Sequence, residues 1–278
     1  MTETVAIERA AEILRGRRLA VLTGAGISTD SGIPDYRGKG TPVRTPMSYQ
    51  QFLSSERFRK RYWAGSHLGW RRFSGATVNA GHLALAELEA AGVVSGVVTQ
   101  NVDGLHLKAG NRRVVELHGS MHSVHCLTCG QAFARDDVAA RLSAANPWLE
   151  SDRVLELSPD GDVDIAEFEH MIVPDCTVCG GVLKPDVVFF GEFVPSEKYT
   201  EAAAIVRRAG ALLIAGSSLV VNSGIRVVEI ARRRRIPIVI VNRGETKGDS
   251  RATWKIDAGT TETLVALREA LSPSLASA

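Results

Sequence analysis

Four cysteines and seven histidines are the residues in this chain best suited to metal binding and proton transfer, and their spacing sorts them. The cysteines form two Cys-x-x-Cys pairs, Cys126 with Cys129 and Cys176 with Cys179. Four thiolates in tetrahedral geometry suit Zn²⁺ and leave no open coordination position, so such a metal holds structure rather than performing chemistry. Each pair is followed by glycine (Gly130; Gly180-Gly181), where a knuckle turn needs a left-handed residue. Thioredoxin-like redox chemistry is the alternative, but it needs only one pair beside a βαβ unit, and the spacing favours structural zinc. His122 and His125 lie close to Cys126 and are weaker rivals, since four thiolates already complete a site. Among the histidines, His118 is the best placed. In Glu116-Leu117-His118-Gly119 it closes a short β-branched run, where its ring can take a proton near neutrality. A histidine simply hydrogen-bonded in a loop is the plainer reading.

Other polar residues gather after apolar runs. Thr23-Gly24-Ala25-Gly26-Ile27-Ser28 is a glycine loop of the kind that lets backbone approach a pyrophosphate. Thr29 stands where a dinucleotide fingerprint wants its third glycine, so a tight strand-to-helix turn competes with the phosphate reading. Gly32-Ile33-Pro34-Asp35-Tyr36-Arg37 offers either a turn with an Asp35–Arg37 pair or a loop that sets Arg37 beside phosphate. Gln100-Asn101-Val102-Asp103 puts three polar side chains where a ligand could be met, although polar loop residues are usually just solvated. Gly216-Ser217-Ser218-Leu219 and Val241-Asn242-Arg243-Gly244 are ordinary turns or, at the same sheet edge, an adenosine site.

The elements that must position these residues follow from periodicity. Helical patterns cover 4–17, 50–73, His82–Ala91, Asp136–Ala145, Ser196–Ala209, 224–235 and Thr260–Leu271. Strand patterns cover Leu19–Thr23, Val93–Thr99, Val114–Leu117, Val187–Phe190, Ala211–Ala215 and Ile236–Val241. Strands alternating with helices imply a parallel sheet covered on both faces, with ligands at the strands' carboxyl ends. The cysteine region departs from that pattern. The expected fold is therefore α/β: a doubly wound, parallel-sheet (Rossmann-like) large lobe with a smaller zinc-binding lobe inserted. Residues 1–45, 78–119 and 186–278 are assigned to the large lobe, 46–77 to a helical insert and 120–185 to the small lobe. Trp63, Trp70 and Phe73 read as core, and Arg232–Arg235 as a solvated helix end.

Bulk composition narrows the class. A formal net charge of +2 over 278 residues is too small to argue for direct nucleic-acid binding. No apolar run approaches the roughly 20 residues of a membrane span. Glu3, Glu8 and Glu12 near the start fit neither a signal nor a transit peptide, so a cytoplasmic protein is expected. The oligomeric state is not legible.

The ordered set of motifs resembles the sirtuin (Sir2-type) family from about residue 10 to 270. It comprises Gly24-Ala25-Gly26-Ile27-Ser28, Gly32–Arg37, Thr99-Gln100-Asn101-Val102-Asp103-Gly104-Leu105-His106, His118-Gly119, both cysteine pairs, Phe190-Gly191-Glu192, Gly216–Leu219 and Val241-Asn242. Tyr36, Arg61-Tyr62-Trp63-Ala64 and Ser218–Gly224 look like the class II branch. The resemblance implies an NAD-dependent protein-lysine deacylase that forms a single catalytic domain over 1–278, with acyl-lysine proteins or peptides as partners and one structural Zn²⁺. It puts the phosphates of NAD near Ala25, Gly26 and Arg37, with Gly24, Ser28, Asp35 and Tyr36 also binding the cofactor. The nicotinamide falls near Ile33, Asn101 and Asp103. The ribose and adenosine side falls near Gly216, Ser217, Ser218, Asn242, Arg243, Gly244 and Ala258. His118 would act as general base on a ribose hydroxyl once nicotinamide has left, with Gln100 and Asn101 completing the catalytic group. The substrate peptide would add as a strand between Val188-Phe189-Phe190-Gly191-Glu192 and the Leu219–Val220 segment. Sirtuins that prefer acidic acyl groups carry a Tyr-x-x-Arg pair before the Asn-Ala-Gly-His motif. Here Gly69-Trp70-Arg71-Arg72-Phe73 stands in that stretch, so weak desuccinylation is expected. Protein mono-ADP-ribosylation, a non-catalytic NAD or acyl-lysine binding module, and a dehydrogenase are the competing readings.

Overall fold

The computed structural model describes residues 2–36, 46–149 and 156–272. Among these, the parallel sheet has the order β3-β2-β1-β7-β8-β9, built from β1 (Leu19–Thr23), β2 (Val94–Thr99), β3 (Val114–Glu116), β7 (Ala211–Ala215), β8 (Ile238–Val241) and β9 (Trp254–Ile256). All five neighbouring pairs run parallel. Every residue of β1, β2, β7 and β8 is buried, as expected of strands covered on both faces.

Alternation assigns those faces. Leu19, Val21, Leu213, Ala215, Val239 and Val241 pack against α1 (Glu3–Leu14), α4 (Ala80–Ala90) and α9 (Thr260–Leu271). Ala20, Leu22, Leu212, Ile214, Ile238 and Ile240 pack against α7 (Ser196–Arg208) and α8 (Asn222–Arg233). The strand order reverses direction between β1 and β7, which is where a doubly wound sheet opens a ligand crevice.

A second, antiparallel sheet has the order β5-β4-β6, from β4 (Gly119–Cys126), β5 (Ala132–Ala134) and β6 (Leu183–Val187). It shares a core with α2 (Tyr49–Ser54), α3 (Glu56–Ser74) and α6 (Arg135–Ala145), in which Trp63, Trp70 and Phe73 are buried as expected. The helical pattern over 50–73 is divided: Ser55, extended at φ −159°, ends α2 and accepts from the Phe58 N–H to cap α3. Arg135 is buried between the Trp63 and Trp70 rings, 5.2 and 5.0 Å from their centroids, and donates to the Ser66 carbonyl at 3.2 Å. That contact and the Trp70–Asp136 hydrogen bond (2.7 Å) fasten α6 to α3.

Two glycines one helical turn apart let the chain cross α3 closely. A Cβ at Gly65 would meet the Val163 carbonyl oxygen at 2.4 Å, and one at Gly69 the Gly161 oxygen at 2.0 Å. The segment 157–163 lies in that groove, tied by the Val163 N–H to the Gly65 carbonyl (3.2 Å).

The strand expected at Val187–Phe190 is displaced. The observed strand, Leu183–Val187, pairs with β4 in the small sheet rather than joining the parallel one. Beyond it Phe189–Glu192 forms a turn with the Glu192 N–H on the Phe189 carbonyl at 3.0 Å, and Gly191 at φ +82° permits the reversal. The apolar run Val-Val-Phe-Phe is equally compatible with either outcome. The helix expected at 224–235 begins and ends two residues earlier, and Arg235 follows it with φ +55°. No described helix is long and apolar enough to cross a membrane.

Candidate active site and four-cysteine centre

The carboxyl ends of β1, β2, β7 and β8 open on a cavity of about 1400 Å³ that extends to β6 and the 157–163 segment. Its walls bring together residues from every loop singled out in the sequence. Gly24, Ala25, Gly26, Ser28, Ile33, Asp35 and Tyr36 come from the first loop, and Gln100, Asn101, Asp103 and His118 from the next two. Val188, Phe189, Phe190, Gly191 and Glu192 line the far side, and Gly216, Ser217, Ser218, Leu219, Val220, Asn242, Arg243, Gly244 and Ala258 complete the ring. Arg37 lies outside the described residues. The volume exceeds the roughly 300–1,000 Å³ usual for one small-molecule site, which leaves room for two ligands.

The parallel ladder runs on into these loops and fixes them. Gly24 N–H reaches the Ala215 carbonyl at 3.3 Å, Gln100 N–H the Thr23 carbonyl at 3.0 Å, and Gly216 N–H the Val241 carbonyl at 2.9 Å. At the β1–β7 switch point two backbones nearly touch. A Cβ on Gly24 would meet the Gly216 carbonyl oxygen at 2.9 Å, and one on Gly26 the Gly216 Cα at 2.8 Å. The 3₁₀ turn Ala25–Ile27 starts there, where amide hydrogens at a helical N-terminus suit phosphate. Glycine is thus required for close approach even without the third fingerprint glycine, whose place Thr29 fills by donating to the Gly26 carbonyl at 3.1 Å.

Two polar networks meet the cavity. In the first, buried Asp103 accepts from Ser28 Oγ at 2.7 Å, from Asn101 Nδ2 at 3.3 Å and from the Leu105 N–H at 2.9 Å, while Asn101 Nδ2 also donates to Ser28 Oγ at 3.0 Å. In the second, His118 Nε2 is 2.8 Å from Ser223 Oγ, Gln100 Nε2 donates to the same oxygen at 3.5 Å, and Ser217 Oγ donates to Gln100 Oε1 at 2.6 Å. Burial lowers the His118 pKa below the usual imidazole value, and a hydrogen bond with the Gln100 backbone partly offsets it. The ring is therefore neutral at physiological pH and available as a base. Leu219, buried on the adjacent loop, holds φ +57°, an uncommon conformation for a bulky residue.

Several wall residues were not expected at the site, although Tyr62 and Ser223 fall in motifs that carried the family resemblance. Ser223 arrives from the first turn of α8, Tyr62 from α3, and Asp160 and Asp162 from the segment seated on Gly65 and Gly69. Tyr36 donates its hydroxyl to Asp160. Burial raises the Asp160 pKa to about 6.

Apart from the cavity, the Sγ atoms of Cys126, Cys129, Cys176 and Cys179 all lie within 4.8 Å of one another. The Cys126–Cys179 and Cys129–Cys176 separations are 3.5 and 3.8 Å. A tetrahedron with Zn–S bonds of about 2.3 Å has edges of roughly 3.8 Å, so the donor set fits one Zn²⁺. The two turns are near copies. Gly130 and Gly180, at φ +73° and +71°, return their N–H groups to the Cys126 and Cys176 carbonyls at 2.9 Å. Thr128 and Val178 N–H groups point at the Cys126 and Cys176 sulfurs at 3.4 Å. His122 instead contacts the Asp103 carbonyl at 3.2 Å, and His125 faces Asp186 at 3.5 Å. None of the four cysteines lines the cavity.

The comparisons with known proteins agree with this geometry. The chain is 52% identical over 265 residues to NAD-dependent protein deacetylase 1 of Mycobacterium avium (strain 104), covering 94% of each chain. It is 46% identical over 253 residues to NAD-dependent protein deacylase Sirt4 of Drosophila melanogaster, covering 88% of this chain and 81% of the relative. A solved structure of Sir2 with a p53 peptide and NAD+ superposes with a TM-score of 0.77 at 31% identity, over 97% of this chain and 99% of that one. The Sir2 family model matches residues 24–223, and with these relatives it establishes that the chain belongs to the Sir2 family, the sirtuins.

Proposed function

We propose that this chain is an NAD-dependent protein-lysine deacylase that releases nicotinamide and O-acyl-ADP-ribose, with His118 as the general base. The carrying observation is that one cavity sets a neutral, hydrogen-bonded histidine between a glycine cradle and the turn at Val188–Glu192. The names of the relatives and the peptide and NAD+ in the Sir2 neighbour support the same reading.

Bound NAD supplies the ribose that accepts the acyl group. The chain's own residues do the rest. Gly24, Ala25 and Gly26 receive the phosphates, and Ser217 and Asn242 the ribose of the adenosine side. Ile33, Asn101 and Asp103 form the nicotinamide end, where the bonds from Ser28 and Asn101 hold the Asp103 carboxylate in place. His118 Nε2 takes the proton of a ribose hydroxyl, which displaces Ser223 Oγ from that nitrogen, while the hydrogen bond with the Gln100 backbone keeps the ring aligned. The acyl-lysine peptide pairs as a strand between the Gly191 limb of the Val188–Glu192 turn and the Leu219–Val220 segment. Covering by both strands excludes water, which would otherwise hydrolyse NAD without acyl transfer. Four cysteine thiolates hold Zn²⁺ as a structural element of the small sheet.

The test is product analysis by mass spectrometry with NAD and acetyl-, propionyl-, butyryl-, succinyl- and lipoyl-lysine peptides, beside His118→Ala. Deacylated peptide, nicotinamide and O-acyl-ADP-ribose appearing together, and lost in the variant, are expected. Nicotinamide without deacylation would move mono-ADP-ribosylation or NAD hydrolysis ahead, and binding without turnover would leave a binding module.

A further inference from the structure

Lys184 is a charged side chain only 2% exposed, and its surroundings give that burial a purpose. A buried ammonium is costly unless it is paired and hydrogen-bonded. Its Nζ donates to the Val187 carbonyl at 2.6 Å, lies 3.1 Å from Glu192 Oε2, and sits 4.7 Å from the centre of the Phe189 ring. Glu192 Oε2 also accepts the Phe189 N–H at 2.9 Å. The two side chains therefore bridge both ends of the turn that follows β6.

The backbone groups they hold are of one kind. In an extended chain the carbonyl of Val187 and the N–H of Phe189 project from the same edge, and the groups of Val188 from the opposite one. Val188 N–H is already paired with the His118 carbonyl at 2.8 Å. Lys184 and Glu192 thus occupy the remaining edge of Val187–Phe189, and a substrate strand is directed to the Gly191–Val194 limb of the turn. The same brace fixes this segment relative to the backbone of His118.

We propose that Lys184, acting through Val187 and Glu192, is a positioning residue that presets the turn receiving the acyl-lysine peptide and its pairing register. This rests on the deacylase reading above. Lys184 does not line the cavity.

The experiment compares Lys184→Met, Lys184→Arg, Glu192→Gln and the Lys184→Met/Glu192→Gln double variant with the parent protein, using an acetyl-lysine peptide and NAD. Lys184→Met is expected to raise the peptide KM about tenfold and leave the NAD KM within about twofold, with Lys184→Arg partly restoring it. The double variant should be little worse than Lys184→Met alone, because the pair acts as a unit. Hydrogen exchange should show the Phe189 amide losing protection in Lys184→Met while amides of the parallel sheet keep theirs. Unchanged peptide KM, or equal losses for peptide and NAD, would overturn the proposal. So would an unchanged Phe189 amide, a readout that also decides the matter if Lys184→Met is too unstable for kinetics. If the parent protein deacylates no peptide, the functional reading fails first. The exchange result then still decides whether Lys184 holds the turn.

Discussion

His118 Nε2 and Ser223 Oγ stand 2.8 Å apart although 105 residues separate them in the chain. One closes the loop after β3 and the other opens α8, so the ring of the proposed base is met by a helix from the opposite side of the switch point. Ser223→Ala removes that bond while keeping the fold of α8. Its kcat is expected to change by no more than about threefold, because a ribose hydroxyl must displace Ser223 from Nε2 before the proton is taken, and a loss of about tenfold would show that Ser223 acts in the transition state. Because burial lowers the His118 pKa, kcat/KM in the parent protein should rise with pH through an inflection below the ordinary 6.5 and be flat near neutrality. Steady-state rates from pH 5 to 9 check this, and an inflection above 7 would contradict a base kept neutral by burial.

A second pair of histidines bears on stability. His82 and His106 are 0% and 1% exposed, and their rings meet edge to face at 5.0 Å beneath the site. His106 Nε2 also bonds Thr23 Oγ1 at 2.8 Å. Burial drives their pKa values down to about 4 and about 3. Both are neutral when folded, whereas the unfolded chain protonates them near 6.5. Their contribution is therefore complete above 6.5 and is lost as pH falls from there toward the folded values. At pH 5 each should cost about 2 kcal/mol. Urea unfolding at pH 7.5 and 5.0 measures the slope, and His106→Gln should flatten it; an equal slope in that variant would assign acid sensitivity elsewhere.

What the sequence disclosed was what lies within a few residues of a strand end. The glycine loop, Gln100–Asp103, His118 and the cysteine pairs are contiguous motifs whose chemistry is set by residue type and spacing. Ser223, Tyr62, Asp160 and Lys184 reach the site or its supports from distant elements, and residue type and spacing alone do not distinguish them from a helix cap, a core ring, a solvated acid or an exposed lysine, although the stretches holding Tyr62 and Ser223 carried part of the family resemblance. The misplaced strand has the same origin. Val187–Phe190 satisfies strand propensity, but β4 pairs with Leu183–Val187, and Gly191, Lys184 and Glu192 turn the chain immediately afterwards. The short edge strand Trp254–Ile256 was similarly invisible, since three residues carry too little periodicity.

Loss of zinc should be read out by tryptophan. Trp63 and Trp70 lie buried in the core that the β5-β4-β6 sheet shares with α3 and α6, and the cysteine turns flank that sheet at Cys126 and Cys176. One zinc per chain is expected by elemental analysis. A strong chelator should red-shift the emission and lower the melting temperature, and Cys129→Ser should bind less than the parent protein. Retention of both emission and melting temperature in fully metal-free protein would show that the four thiols need no ion to hold the small sheet.

Acyl choice tests the acidic wall. No Tyr-x-x-Arg pair is present in α3 to receive a carboxylate, and Gly69 there is covered by the Gly161 carbonyl. The same segment brings Asp160 and Asp162 to the cavity surface. With its pKa raised by burial to about 6, Asp160 is still ionised near pH 8 and opposes a second negative charge. Succinyl-lysine peptide should therefore be a poor substrate beside acetyl-lysine. Asp160→Asn can still accept the Tyr36 hydroxyl, so the loop contact survives while the charge is removed. The variant is expected to narrow the acetyl-to-succinyl ratio of kcat/KM about fivefold, or roughly 1 kcal/mol. Succinyl-lysine emerging as the best substrate of the parent protein would overturn this account, because it would require a cationic partner in the pocket that outweighs both carboxylates.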